Sequence, residues 1–396
     1  MNILKSFILF IVVVLMLGFF NAKPISVTIS GQLITLVSWI IILVNIYLLK
    51  IPVKPKIANS LATPVNLMFA AIFISMIPAY LYHDQSIFSS LIGYKHFYVF
   101  FLYFILFKLE FSYKQILNLS IFLFIITLII FLIDFYTFPN SFFSGEDVFE
   151  RRGAFTIRFN GQGFTVLGTF FCLAAFFRTS KFYYFILYVI GFCFLTFFTA
   201  SRIQLLSLII NTLFVLIFYR KTIKKYFLYI IPVIIAAISV GIYYLESYVL
   251  GLYLLAFEES RTFESNIRYE AMKFFTGKFQ TNGITKILGN GYPNSSGTYQ
   301  DSFIAAQYYG FFTSDLGLIG FWTYFGILGV IAWLVIFKKI LLSKTDDNNV
   351  FIKAYFINLL FTITLGYAIF NPGYMITTVF CFFLFDKNKQ DNNKQA

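Results

Sequence analysis

Long apolar runs separated by short polar connectors occupy most of the chain. A helix that crosses a bilayer needs about 20 mostly apolar residues, and about twelve runs approach that length. They lie at roughly 5–21, 32–50, 62–82, 92–108, 114–137, 162–178, 182–199, 202–219, 226–245, 316–337, 351–370 and 372–386. The pattern predicts an all-α, polytopic integral membrane protein in which residues 1–396 form a single membrane domain.

The longest interruption of this pattern, residues 246–315, holds the densest mixture of charge, glycine and aromatic residues, and a smaller interruption covers 139–161. Within the larger one, Ser265 and Asn266 precede the sequence IRYEAMKFF, which is typical of a capped amphipathic helix. Its apolar face, expected to pack on the membrane domain or lie in the interface, comprises Ile267, Ala271, Phe274 and Phe275. We therefore expect a large lid on one side of the membrane.

Composition agrees with a membrane protein. The mean hydropathy is +0.81, and 12% of the residues are charged, against about 25% in soluble domains. A net charge of +13 can indicate nucleic-acid binding, but Lys and Arg in cytoplasmic connectors explain it without nucleic acid. The three cysteines stand inside apolar runs without metal-ligand spacing. No small-residue cleavage site follows the first apolar run, which predicts an uncleaved first span.

The connectors alternate in charge. One set is short and rich in Lys, and comprises 50–56, 108–114, 178–181, 219–225, 337–344 and the tail 386–394. The other set comprises 21–31, 83–93, 139–161, 199–201, 246–315 and 371–373. Because Lys and Arg accumulate in cytoplasmic connectors, the first set is predicted to be cytoplasmic. Both termini are then cytoplasmic, and the large loop lies on the outer face.

Six arginines map to the predicted outer side or its edge: Arg151, Arg152, Arg158, Arg202, Arg261 and Arg268. Arg presents a planar fork of donors that suits phosphate and carboxylate oxygens. The group therefore indicates a polyanionic ligand such as a lipid pyrophosphate, with salt bridges to nearby glutamates as the alternative. Arg202 follows small residues at the mouth of a span, where it either faces a polar cavity or snorkels to the interface.

Further candidates lie in the second half of the large loop. Gly289 and Gly291 permit close backbone approach, although a lone G-x-G is weak evidence for phosphate binding. Asp301 and Asp315 stand out because acids are scarce; Asp315 can instead cap the span that follows. The aromatic residues of this segment can stack on sugars or anchor the chain at the interface, and they are Tyr292, Tyr299, Tyr308 and Tyr309.

Several motifs are missing from the sequence. It has no P-loop, no D-x-D and no cluster of metal-binding side chains, and the first outer loop, 21–31, has no acid. Ionisable residues inside the predicted spans are rare, with Asp134 near an outer end as the nearest case. These absences count against an ATP-driven pump, a metal-dependent sugar-nucleotide transferase and an ion-coupled transporter. The missing acid in 21–31 counts against a polytopic glycosyltransferase that uses polyprenyl-phosphate sugars.

Together, these features resemble the Wzy-type O-antigen and capsule polymerases, close relatives of the O-antigen ligases. The resemblance covers about twelve spans with one large, late outer loop. A small-Ser-Arg motif opens a mid-chain span at Ala200-Ser201-Arg202. An Arg-led helix at Arg268 is followed by the turn Gly289-Asn290-Gly291, and the loop returns to the membrane through the Gly-rich residues 316–321 and 325–329.

The resemblance implies an enzyme of the bacterial cytoplasmic membrane that needs no metal or cofactor. Its substrates would be sugar units on undecaprenyl pyrophosphate, and a chain-length regulator is a candidate partner. Arg202 and Arg268 would stabilise developing charge, Asp301 would act as general base, and the remaining arginines, Asp315 and the tyrosines would bind substrate.

Ligases of this superfamily usually carry a catalytic His in the large loop, where this chain has TYQDSFIAAQ. That difference favours a polymerase over a ligase. Two further hypotheses are a flippase for the same lipid-linked units, which would lack the dominant late loop, and an assembly protein without chemistry.

Overall fold

The structure is a computed structural model that describes residues 2–49, 60–137, 140, 142–143, 149–151, 154–156, 160–197, 202–222, 267–280, 282–295, 297–364, 366 and 368–395. Its α-helices are α1 (Asn2–Met16), α2 (Val27–Leu49), α3 (Ala62–Ile74), α4 (Met76–His83), α5 (Ile87–Gly93), α6 (Leu102–Lys108), α7 (Tyr113–Thr137), α8 (Gln162–Thr179), α9 (Phe182–Phe197), α10 (Arg202–Phe218), α11 (Ile267–Lys273), α12 (Gly283–Leu288), α13 (Thr298–Tyr308), α14 (Leu318–Leu341), α15 (Val350–Thr364) and α16 (Pro372–Gln395). Short 3₁₀ segments cover Gly18–Asn21, Tyr94–Phe101, Thr313–Leu316 and Ala368–Phe370, and a π turn covers Phe274–Lys278.

Helices cover most of every predicted span except 226–245, which lies outside the described residues. Among the described residues, five helical runs are long and apolar enough to cross a membrane: Thr28–Leu48, Ala62–His83, Ile87–Lys108, Tyr113–Thr137 and Leu318–Leu341. Four shorter apolar helices are Leu4–Met16, Phe182–Thr196, Ile203–Phe218 and Val350–Thr364. The prediction of a helical membrane protein is therefore confirmed, while the full set of twelve spans stays a prediction.

A short hairpin departs from the helical prediction in the smaller interruption. Strand β1 (Phe149–Arg151) pairs antiparallel with β2 (Ala154–Thr156), and Glu150 stands opposite Phe155. The sequence places Gly153 between the strands, and aromatic and Thr residues at their outer ends favour extended backbone.

Helix α8 lies at the centre of the bundle. Its side chains from Gln162 through Phe177 are all buried, and it packs against α7, α9, α15 and α16. Glycines allow these helices to approach closely: a Cβ on Gly168 would lie 2.1 Å from Cγ of Phe124 in α7, and one on Gly191 would lie 2.3 Å from Oγ1 of Thr169. Such small-residue contacts are the usual way that helices pack in lipid.

The Lys-rich connectors meet at one end of the bundle. Lys5 Nζ donates to the Leu109 carbonyl (3.1 Å), Lys108 Nζ to the Leu48 carbonyl (2.6 Å), and Arg178 Nη1 to Asn348 Oδ1 (3.2 Å). These contacts join connectors that the charge pattern assigns to the same side. We call this end of the bundle the Lys-rich end.

Connectors of the other set meet at the opposite end, which we call the loop end. The Lys23 amide donates to the Phe142 carbonyl (2.8 Å), and Asn160 Nδ2 donates to Asn21 Oδ1 (2.9 Å). The carboxylate of Asp134 accepts bonds from the amides of Phe142 and Phe143. The buried acid noted near the end of a predicted span therefore fastens the smaller loop.

The C-terminal helix ties the Lys-rich end together. Asp386 of α16 accepts a hydrogen bond from the Leu61 amide (3.0 Å) and one from the Tyr103 hydroxyl (2.6 Å). Because Leu61 is the N-cap residue of α3 and has no side-chain cap of its own, a distant carboxylate caps that helix. The short predicted span 372–386 is thus the start of a longer helix whose polar tail makes specific contacts.

Candidate functional site

An aromatic layer holds the described part of the large loop on the bundle. The rings of Phe275 and Phe303 stack with centroids 6.0 Å apart, and Phe303 lies 5.4 Å from Tyr324 of α14. Ala271 and Phe275 of α11 and the π turn after it are buried, as expected for the apolar face. Ile267 is exposed, but its Cδ1 lies 2.4 Å from the position of a Cβ on Gly310. The amphipathic helix therefore packs on the protein, and its first residue covers the end of α13.

The turn Gly289-Asn290-Gly291 crosses a break in α14. Helix α14 departs from helical geometry at Gly326, where φ is +65°. The Asn290 amide donates to the Thr323 carbonyl (2.9 Å) and the Gly291 amide to the Tyr324 carbonyl (2.8 Å). A Cβ on Gly289 would lie 2.2 Å from the Tyr324 carbonyl oxygen. The predicted close backbone approach is therefore made to a helix of the same protein.

These hydrogen bonds bear on phosphate binding by the G-x-G turn. The Gly289 amide donates to the Thr285 carbonyl (2.8 Å), and the next two amides donate to α14. A phosphate cradle needs free amides that point at the ligand. All three amides of this turn have protein partners, so the turn serves as a structural clamp.

The clamp lies well below the ends of the surrounding helices. A Cβ on Gly291 would meet the Ser75 carbonyl oxygen at 2.9 Å, and Ser75 is the joint between α3 and α4. The same Cβ would lie 2.7 Å from Cβ of Ala79, and from His83, at the end of α4, the helix runs about 6 Å back to Ala79 and about 12 Å back to Ser75. We call this turn re-entrant because its non-helical backbone passes between α4 and α14, with protein on both sides.

His83, at the end of α4, joins the loop by stacking and by a hydrogen bond. Its ring stacks on Tyr299 (4.1 Å between centroids) and on Phe279 (5.7 Å). His83 Nε2 lies 3.1 Å from Asn290 Oδ1, while Asn290 Nδ2 donates to the Thr323 carbonyl at 3.2 Å. That donation turns the amide oxygen of Asn290 toward His83, where it can accept a hydrogen bond from a protonated Nε2.

Gln85 and Tyr94 complete the attachment of the turn. Gln85 donates to the Tyr292 carbonyl (3.0 Å) and accepts from the Asn294 amide (2.8 Å). The Tyr94 hydroxyl accepts from the Tyr292 amide (3.1 Å). The segment from Gly289 to Asn294 is thus fastened to both α14 and the α4–α5 connection. The sequence analysis did not identify Gln85 or His83 as contacts of the loop. The one feature that could have indicated them is the polar connector HDQS between two apolar runs.

Arg268 and Asp315 belong to neighbouring elements. Arg268 is exposed in the first turn of α11, and α11 contacts the turn Thr313–Leu316 that carries Asp315. Asp315 does not cap α14, whose N-cap is Gly317 and makes no side-chain cap bond. A Cβ on Gly317 would lie 1.7 Å from the Ile363 carbonyl oxygen, so only glycine fits there. The carboxylate of Asp315 is left partly exposed near the Arg-bearing helix.

Asp301 lies at the other end of α13. It is exposed in the first turn, whereas Ile267 and hence the start of α11 meet Gly310 beyond the last turn. From Asp301 to Gly310 the rise is about 13 Å. The structure therefore does not bring Asp301 and Arg268 together at one point.

Of the predicted sugar-stacking tyrosines, Tyr299 is buried and Tyr292 is half-buried. Tyr299 is 2% exposed, and its hydroxyl donates to the carbonyls of Asn290 and Gly291, each at 3.1 Å. Tyr292 packs edge-on against Phe97. Burial raises the pKa of both phenols, which keeps them as protonated donors. Tyr308 and Tyr309 are 88% and 69% exposed, and their rings remain accessible.

The other predicted arginines lie partly or wholly outside the described residues. Arg152, Arg158 and Arg261 are outside them, as is the expected cap at 265–266. For Arg151 in β1 and Arg202 at the start of α10, the structure describes the backbone position and not the side chain. Arg202 therefore begins a helix, as predicted, and its partner is not described.

Among the described residues, no three His, Cys, Asp or Glu side chains come together as metal ligands. The loop end instead offers exposed carboxylates, an exposed arginine and an imidazole, all on elements that lie over or dip into the bundle. Comparisons with protein-family models, with curated proteins and with solved structures find no match to this chain.

Proposed function

We propose that the protein polymerises undecaprenyl-pyrophosphate-linked oligosaccharide units, of O-antigen or capsule type, at the outer face of the bacterial cytoplasmic membrane. The observation that carries the proposal is the re-entrant loop. Its turn at Gly289–Gly291 is clamped about 6–12 Å below the end of α4, while its helical segments carry the exposed Arg268 and Asp301 and the partly exposed Asp315. A lipid-linked sugar needs such a site, because its isoprenoid stays in the bilayer while its sugars are in water.

The proposed reaction needs the two substrates to be positioned and the developing negative charge to be stabilised. The acceptor hydroxyl oxygen attacks the anomeric carbon of the donor, the bond from that carbon to the pyrophosphate breaks, and a base takes the hydroxyl proton. Arg202 and Arg268 are proposed to stabilise the charge that develops on pyrophosphate, since guanidinium forks match its oxygens. Further contacts are proposed from Arg151, Arg152, Arg158 and Arg261.

The separation of Asp301 from Arg268 along α13 fits a displacement at the anomeric carbon of the donor. The base that takes the hydroxyl proton and the leaving pyrophosphate lie on opposite sides of that carbon. Asp301 is proposed to act as the base at the hydroxyl, and Arg268, beside the turn of Asp315, to hold the leaving pyrophosphate. Tyr308 and Tyr309, whose rings are exposed, are better placed to stack on sugars than Tyr292 and Tyr299.

A ligase is the second candidate, and one observation favours keeping it. The large loop has no His of its own in the sequence, but His83 reaches it from α4. The absence of His from the loop therefore does not by itself separate the two enzymes. Their products do: a polymerase lengthens chains on the lipid carrier, whereas a ligase moves finished chains to another acceptor.

Arginine substitutions test the polymerase directly. In Arg202→Ala and Arg268→Ala strains we expect long chains to be lost, because one missing donor to a developing oxyanion costs about 10²–10³-fold in rate. The measurement is chain length on a gel, with protein abundance in the membrane as a check. Arg178→Ala is the matched control, since Arg178 lies at the Lys-rich end. Chains of normal length in both loop-end variants would exclude the proposed pyrophosphate contacts.

A further inference from the structure

Lys95 is a charged residue inside a candidate membrane span, and sequence reasoning did not single it out. It belongs to the run Ile87–Lys108, in the eight-residue 3₁₀ segment Tyr94–Phe101. Segments of that length are uncommon because 3₁₀ hydrogen bonds are poorer than α-helical ones. An ionisable residue within a span is costly and usually has a partner or a function.

The ammonium of Lys95 lies against α2. Its Nζ is 3.6 Å from the position of a Cβ on Gly31, and the Lys95 carbonyl accepts a bond from Ser38 of the same helix (2.7 Å). The Lys95 side chain therefore occupies the crevice between α2 and the 3₁₀ segment, at a point where the missing side chain of Gly31 leaves room.

Two helix lengths give the depth of this ammonium. Lys108 Nζ bonds the Leu48 carbonyl, so both residues mark the Lys-rich end. From Lys108 back to Lys95 the rise is about 22 Å, and from Leu48 back to Gly31 it is about 25 Å. A bilayer hydrocarbon core is about 30 Å thick. The charge therefore lies a few ångströms inside the leaflet at the loop end, just below its phosphate groups.

No protein anion neutralises this charge in the part of the chain that the structure describes. Lys95 makes no ion pair there, and the hydrogen bond from Ser38 uses its carbonyl and not its ammonium. The nearby start of α2 adds a positive helix dipole. Two positive sources beside each other in a region of low dielectric favour a bound anion.

We propose that the crevice between α2 and Tyr94–Phe101 binds the phosphate group of a lipid in the leaflet at the loop end, through the Lys95 ammonium. The lysine reaches up from just inside the hydrocarbon and the headgroup phosphate reaches down from the interface. Gly31 lets the ammonium lie close to α2, and the phosphate would reach it from the exposed side, since Gly31 and Lys95 are both partly exposed. This site is on the face of the 3₁₀ segment toward α2, whereas Tyr94 binds the re-entrant loop, and it does not depend on the proposed reaction.

The test is lipid binding to the purified full-length protein, measured by native mass spectrometry. The probes are phosphatidylglycerol and a galactosyl diacylglycerol, which has no phosphate. We expect a tight phosphatidylglycerol site that Lys95→Met weakens about tenfold, equivalent to about 1.4 kcal/mol, and that Lys95→Arg keeps. Gly31→Val retains the charge but fills the crevice, and should also weaken binding. Lys23→Met, at an exposed loop-end lysine, is the control and should bind as the native protein does.

Three results would overturn the proposal. One is equal phosphatidylglycerol binding by Lys95→Met and native protein, which is expected if the Lys95 ammonium is solvated by water and contacts no lipid phosphate. The second is equally tight, Lys95-dependent binding of the galactolipid. The third is Lys95-dependent stabilisation by inorganic phosphate without phosphatidylglycerol binding, which would assign the phosphate to solution. Size-exclusion profiles and melting temperatures of each variant show whether a loss of binding reflects unfolding.

Discussion

At the scale of single residues, glycine determines where the large loop attaches. Gly289, Gly291 and Gly326 all have positive φ, a region that costs other residues about 1–2 kcal/mol. At each position a Cβ would lie closer than 3.0 Å to neighbouring protein atoms. The three glycines therefore combine an unusual backbone conformation with contact distances that no other side chain allows.

Gly291→Ala is predicted to loosen the loop. A Cβ at this position would lie 2.7 Å from Cβ of Ala79 and 2.8 Å from the Tyr94 hydroxyl oxygen, in addition to the cost of positive φ. We expect a loss of about 2 kcal/mol or more of stability, seen as a lower melting temperature in detergent.

Gly277→Ala is the control within the same loop, because a Cβ there meets nothing within 4 Å and the residue is helical. Its melting temperature should equal that of the native protein. Equal melting temperatures for Gly291→Ala and Gly277→Ala would show that the clamp does not hold the loop.

The sequence predicted the role of a residue only where that role depends on the residue itself or on its neighbours in the chain. Close approach at Gly289 and Gly291 follows from the lack of a side chain, and it was predicted. The contact between His83 and Asn290 joins residues far apart in the chain, so no local pattern encodes it. Asp315 was weighed as a helix cap, but the cap is the neighbouring Gly317, because the Ile363 carbonyl allows no side chain there.

At the scale of elements, the interruptions of helices matter as much as the helices. The run 62–83 divides into α3 and α4 at Ser75, the run 87–108 passes through a 3₁₀ segment, and α14 breaks at Gly326. Ser75 and Gly326 face the re-entrant turn, and Tyr94 begins the 3₁₀ segment. Near the break at Gly326, the Thr323 and Tyr324 carbonyls accept bonds from the amides of Asn290 and Gly291, and the joint at Ser75 lies against the same turn.

Helix extents were well predicted and interruptions were not. The predicted runs 162–178 and 182–199 match α8 and α9 closely, because the length of an apolar run is a local property. A break such as Gly326 depends on a carbonyl partner from a distant turn. The hydropathy of that segment is the same with or without the break.

Cysteine labelling tests the re-entrant path and its side of the membrane together. A membrane-impermeant maleimide, added to intact cells on the outer side, should label Ser295→Cys and Ser302→Cys, which are exposed. It should fail to label Asn290→Cys, which is buried in the clamp, and the native chain is the blank. Labelling at position 290 would contradict the re-entrant path, and no labelling at 295 and 302 would contradict the orientation.

At the scale of the whole molecule, the side-chain contacts differ between the Lys-rich end and the loop end of the bundle. Lysines bind carbonyls at one end, while amide side chains and aromatic rings organise the other. The sides of the connectors were predicted from charge alone and stay a prediction. The described contacts join connectors of the same predicted set, such as Lys23 with Phe142 and Asn160 with Asn21. The first half of the large loop and the span 226–245 lie outside the described residues and stay predictions.

We propose above all that this molecule lengthens lipid-linked glycans at its loop end. The most direct measurement is a reconstituted reaction: purified protein in liposomes with one undecaprenyl-pyrophosphate-linked unit and no nucleotide or metal. We predict a ladder of products that differ by one unit, with one undecaprenyl pyrophosphate released for each bond, and no ladder with Arg268→Ala. Movement of intact units across the bilayer without new bonds, or transfer only to a different acceptor, would contradict the claim.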